Sequence, residues 1–110
     1  MAVSAGTRAF VLELFAGLDA VYARAMMGGL AVYSAGRIFA IVGPEDRIFL
    51  KASGPFAEAL AAEGAEQFSY ARDGKTARMG YWSLPDAAVD DPDAACDWAR
   101  RALEASGGFS

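Results

Sequence analysis

The sequence predicts a two-layer α+β domain. An antiparallel sheet of about five strands packs against helices, in the order helix, strands, helix, hairpin, helix. Two patterns carry this expectation. Stretches near the start, middle and end place apolar residues at helical spacing, and the segments between them are short β-compatible runs punctuated by Gly-containing turns. Those turns are too short for crossover connections, so consecutive strands must run antiparallel. The 110 residues suit one domain, taken as 1–110. At this length roughly two-thirds of the unfolded chain's surface can be buried, so a core forms without disulfides or metal.

The elements follow in order. Phe10, Val11, Leu14, Phe15 and Leu18 make one apolar stripe of a first helix, with Ser4 or Thr7 as its cap. Val21 to Met27 is β-compatible and ends at Gly28-Gly29, where a bulge or tight turn lets backbones approach closely. Leu30 to Tyr33 forms the next strand, and Ala35-Gly36 allows a tight reversal into Arg37–Val42. That strand is apolar on both faces and therefore belongs in the middle of the sheet. Gly43 to Asp46 turns the chain into a strand from Arg47 to Lys51. Ser53 caps a second helix, Pro55 suits its first turn, and Gly64 stops it. Asp73-Gly74 joins a hairpin of Glu66–Ala71 and Lys75–Ser83. Asp86 to Val89 forms a single helical turn. Asp90 or Asp91 then caps a last helix from about Pro92 to Ala105.

Charge narrows the classes of function. The net charge is −4, and its distribution is uneven. Residues 1–84 carry eight basic and eight acidic groups, whereas residues 85–110 carry six acids against Arg100 and Arg101. Nonspecific nucleic-acid binding needs a basic surface to release counterions, and only a local face of this acidic chain could supply one. The chain has no His, so no step rests on imidazole, and its single Cys excludes an intrachain disulfide. The N-terminus lacks the charged and apolar regions of a signal peptide, and no window is long and apolar enough to span a membrane. The cytoplasm is the expected location, with no membrane partner.

Arg47, Phe49 and Lys51 alternate and share one strand face, as do Tyr70 with Arg72 and Arg78 with Trp82. Such interleaving offers guanidinium groups to phosphate or carboxylate and rings to bases or apolar side chains. The competing reading is a solvated face whose long side chains cover rings. Arg24, Arg37, Arg47, Lys51, Arg72, Lys75 and Arg78 are the candidate residues for a protein or nucleic-acid partner. Met26-Met27-Gly28-Gly29 lacks the spaced glycines and following helix of a phosphate loop. Cys96 sits between Ala95 and Asp97 with Asp93 one turn back, a setting that disfavours thiolate and suits a packing residue. Asp86, Asp90, Asp91 and Asp93 lack the ladder of a calcium loop and are better explained as helix caps. Met79, Tyr81, Trp98 and Leu103 read as core or interface residues. No catalytic residue, metal site or cofactor is expected.

Several pieces together resemble the N-terminal domain of the TfoX (Sxy) family. They are Arg24-Ala25-Met26-Met27-Gly28-Gly29, the hairpin from Val32 to Val42, and Asp46-Arg47-Ile48-Phe49-Leu50-Lys51. Phe68-Ser69-Tyr70 with Lys75, then Met79-Gly80-Tyr81-Trp82-Ser83-Leu84-Pro85, Asp90 to Asp93 and Trp98 complete the set. Family members usually carry Met-Phe-Gly-Gly where this chain has Met26 to Gly29, which exchanges a rigid ring for the flexible Met27. The resemblance covers about Phe10 to Leu103 and does not include the family's C-terminal domain. It implies a non-enzymatic regulatory or adaptor domain, linked to competence or transcription regulation through protein contacts with, for example, a component of the transcription machinery. The alternatives are direct nucleic-acid binding through strand-borne Arg and Lys, or a small-molecule binder or enzyme with a pocket between sheet and helix. A homodimer is compatible with the exposed strand positions.

Overall fold

The computed structural model describes residues 5–26, 29–43, 46–72 and 74–105, with the backbone alone over 70–72 and 75–79. Ser4, Met27, Gly28, Pro44, Glu45 and Asp73 lie outside the described residues. The element order is α1 (Ala5–Leu14), β1 (Val21–Met26), β2 (Gly29–Ser34), β3 (Arg37–Val42), β4 (Ile48–Lys51), α2 (Gly54–Ala62), β5 (Gln67–Arg72), β6 (Lys75–Ser83) and α3 (Pro92–Ala105). A 3-10 turn at Asp86–Ala88 precedes α3. The six strands form one sheet in the order β1-β2-β3-β4-β6-β5, every neighbour antiparallel. The fold is α+β as the residue pattern predicts, and the sheet, expected to hold about five strands, has six, one for each β-compatible segment. The apolar β3 lies inside the sheet, paired on both sides.

The strands alternate, and one sheet face takes all three helices. Ala23, Leu30, Val32, Ala40, Val42, Ile48 and Leu50 point to the helix side. There they meet Val11, Leu14, Phe15 and Leu18 near α1, Phe56 and Leu60 from α2, and Ala95, Cys96, Ala99 and Ala102 from α3. Each Val, Leu, Ile or Phe among these contributes on the order of 1.5–3 kcal/mol when fully buried. The small residues on α3 let that helix approach the sheet closely. Cys96 is buried, its thiol 3.6 Å from the carbonyl oxygen of Leu14, as expected of a packing residue.

The helix ends follow local chemistry. Asp91 accepts a 3.2 Å hydrogen bond from the Ala94 amide and caps α3. At the end of α2, Gly64 adopts φ +89°; its amide donates to Ala61 and that of Ala65 to Leu60. This is the left-handed closure that glycine makes easily. Ser53 occupies the cap position of α2 without a side-chain hydrogen bond. Thr7 lies inside α1 rather than at its cap.

Two features depart from the expected pattern. Helix α1 ends at Leu14, so Phe15 and Leu18 enter the core from the following turns, while Phe10 is 43% exposed. Phe10 stands one residue off the stripe formed by Val11, Leu14, Phe15 and Leu18, and so turns away from the core. In β3, the pairing with β2 shifts between Val32 and Tyr33. Val32 faces Ala40 while Tyr33 faces Ile38, which leaves Phe39 as an extra, bulged residue. Phe39 and Ala40 therefore both join the helix-side core, and the ring of Phe39 meets Phe15 edge-on with centroids 5.1 Å apart.

Candidate interaction surface

The opposite sheet face carries no helix. Its residues come from the other half of each strand alternation: Tyr22 and Arg24 on β1, Ala31 and Tyr33 on β2, Ile41 on β3, Phe49 and Lys51 on β4, and Tyr81 on β6. Strand pairing aligns Arg24, Ala31, Ile41, Phe49 and Ser83 into one row across five strands. The middle of that row is sealed although no helix covers it: Ala31 is 1%, Ile41 3% and Phe49 5% exposed.

Long side chains cover part of this row. Phe68 of β5 meets Phe49 edge-on at 4.9 Å. The Arg47 guanidinium lies 5.4 Å from the Phe49 ring centre and forms a 2.8 Å ion pair with Glu66. Both partners of that pair are substantially exposed, so the ion pair itself contributes at most about 1 kcal/mol. Arg47 thus acts first as a lid on Phe49. The Glu66 side of this contact is held by Ser83, whose Oγ accepts from the Glu66 amide at 2.9 Å and whose amide donates to the Glu66 carbonyl at 2.8 Å.

Beside the row lies a tyrosine group. Tyr22 and Tyr33 are direct cross-strand partners and stack with centroids 5.0 Å apart and planes within 6°. Tyr22 remains 41% exposed. Tyr81 pairs across the strands with Lys51. Burial, and secondarily the neighbouring Tyr33, push the Tyr81 hydroxyl above the ordinary value of 10.0. The exposed ammonium of Lys51 and guanidinium of Arg24 flank these rings, and neither takes part in an ion pair or hydrogen bond among the described residues.

The seven basic candidates therefore divide. Arg24, Arg47 and Lys51 share the helix-free face. Arg37 does not: its guanidinium donates at 2.6 Å to the carbonyl of Leu103 on α3, on the opposite side of the sheet. Arg72 and Lys75 face each other at the end of the β5–β6 hairpin, and Arg78 pairs with Ser69. Of these three the backbone alone is described. Trp82, expected beside Arg78 as a presented ring, pairs with Leu50 and packs against the core on the helix side. Sequence reading did not single out Tyr22, Tyr33 or Glu66. For the tyrosines a signal existed: Tyr22 and Arg24 alternate around the apolar Ala23, as a strand with one free face would.

On the helix side, a shallow groove of about 470 Å³ is lined by Ser53, Pro55, Phe56, Arg101, Glu104 and Ala105. Arg101 fills much of its rim, 4.6 Å from the Trp98 ring centre and 5.3 Å from that of Phe56. Among the described residues no group of three or more His, Cys, Asp or Glu is placed to hold a metal ion. Nor is any helix among them long and apolar enough to cross a membrane.

A six-stranded antiparallel sheet with helices on one face and an aromatic, basic surface on the other defines a two-layer α+β domain with a candidate binding face. The particular family is identified by comparison with known proteins: the TfoX N-terminal domain matches residues 13–106, and the chain belongs to that family. No curated protein matches the sequence.

Proposed function

We propose that this chain is a non-enzymatic regulatory or adaptor domain, acting in the cytoplasm through protein contacts made by the helix-free sheet face. Family membership supports the regulatory setting, with competence and transcription as the processes its name suggests. One observation carries the choice of surface: Tyr22 and Tyr33 are stacked beside Arg24, with Lys51 and Tyr81 on the same uncovered face. Tyr and Arg are enriched in protein–protein interfaces because they combine a large apolar area with polar groups at their tips. The chain contains no His, and its one thiol is buried in the core, which fits a binding role better than acid–base or nucleophilic chemistry.

Affinity capture from a cell extract tests this reading. The wild-type chain should retain a discrete protein, to be sought among components of transcription, and the Tyr22→Ala/Lys51→Ala variant should lose it while keeping its circular dichroism spectrum. Equal capture by both chains, or recovery of nothing above background, defeats the assignment of this face.

A further inference from the structure

Charge is polarised across the molecule. Asp86, Asp90, Asp91, Asp93, Asp97 and Glu104 are exposed on α3 and the turn before it. The basic residues there are engaged: Arg100 with Asp97 and the Gly17 carbonyl, and Arg101 over Trp98. The helix-free face carries the opposite balance. Its acid, Glu66, is paired to Arg47, which leaves the charges of Arg24 and Lys51 uncompensated among the described residues.

Resting on the reading that this face binds a protein, we propose that its partner presents a short acidic polypeptide segment with an apolar anchor. The carboxylates meet Arg24 and Lys51, and the anchor covers the exposed side of the Tyr22–Tyr33 stack. Charge complementarity selects this occupant. Two copies joined sheet to sheet would set cation against cation. A nucleic-acid strand brings one phosphate per nucleotide along its whole length, more charge than the two uncompensated cations Arg24 and Lys51 can match. An acidic peptide brings only as many charges as the face can match, together with apolar area for the rings.

The test uses the full chain, isotopically labelled for amide spectra, and three probes: a synthetic Asp/Glu-rich peptide carrying one Leu-Trp anchor, the same peptide with every acid replaced by Lys, and a thymidine oligonucleotide. The acidic peptide should shift amides at Tyr22, Arg24, Tyr33, Lys51 and Tyr81. Its dissociation constant should rise with salt and increase about five- to tenfold in Arg24→Glu and in Lys51→Glu. Equal binding of the Lys-substituted peptide at these amides overturns the acidic-partner inference and leaves the face assignment standing, as does tighter binding of the oligonucleotide there. Shifts confined to the groove between α2 and α3 overturn both. No binding of the acidic peptide, or salt-sensitive self-association of the free chain through the same amides, overturns the inference.

Discussion

The guanidinium of Arg37, on the first residue of β3, donates a 2.6 Å hydrogen bond to the carbonyl oxygen of Leu103 in the last turn of α3. The final carbonyls of a helix lack partners within it and carry the negative end of its dipole. Helix α3 has no basic residue in its last turn, so the sheet supplies the cation from 66 residues away in sequence. Replacing Arg37 with Met should cost about 1–2 kcal/mol, because a charged donor to a part-buried carbonyl is lost. The urea midpoint should fall and amide exchange at the end of α3 should quicken, with partner binding unchanged. Lost binding at unchanged stability would return Arg37 to the interaction surface.

A second prediction concerns the β2–β3 reversal. Ala35 and Gly36 both hold positive φ, +51° and +85°, between the paired residues Ser34 and Arg37. A two-residue turn of this kind favours Asn-Gly, because Asn tolerates the left-handed conformation better than Ala. Ala35→Asn should therefore stabilise the fold by about 0.5–1 kcal/mol. Thermal unfolding of the variant reads this directly, and a lower midpoint would contradict the turn geometry.

Gly29 gives the opposite case. A Cβ at this position would collide with the backbone carbonyl of Val42 on the adjacent sheet segment. Backbone cannot step aside as a flexible side chain can, so Gly29→Ala should destabilise by roughly 2–3 kcal/mol. The checks are soluble yield and the denaturation midpoint. A wild-type midpoint would show that β2 and β3 do not approach this closely at Gly29 and Val42.

Tyr81 sets a dependence on alkaline pH. Its pKa is raised in the folded chain, by burial first and Tyr33 second. Below pH 10 the hydroxyl is protonated in both folded and unfolded chains and costs nothing. Above the ordinary value of 10.0 the unfolded chain ionises first, so stability falls as pH rises through the folded value. Tyr81→Phe should retain more of its neutral-pH stability in that alkaline window than the wild type does. Parallel alkaline losses in both chains would remove Tyr81 as the cause.

Much of the architecture was determined by the sequence alone, since it rests on local rules. Alternation assigned Ile48 and Leu50 to one face and Phe49 and Lys51 to the other. Turn chemistry marked Ala35-Gly36 and Gly64, and a cap at Asp90 or Asp91 followed from short polar side chains ahead of an amphipathic helix, the structure choosing Asp91. The surface was legible in part: Arg47 and Lys51 share the predicted face, and the family is confirmed over residues 13–106. Tertiary structure decided the rest. The bulge at Phe39 places two successive side chains in the core, which a period of two cannot express. Arg37 was drawn to Leu103, Trp82 was turned to the helix side, and Tyr22 met Tyr33 at a spacing fixed by strand register. Each of these outcomes depends on which distant segment lies alongside, and local residue preferences carry no record of that neighbour until the sheet closes.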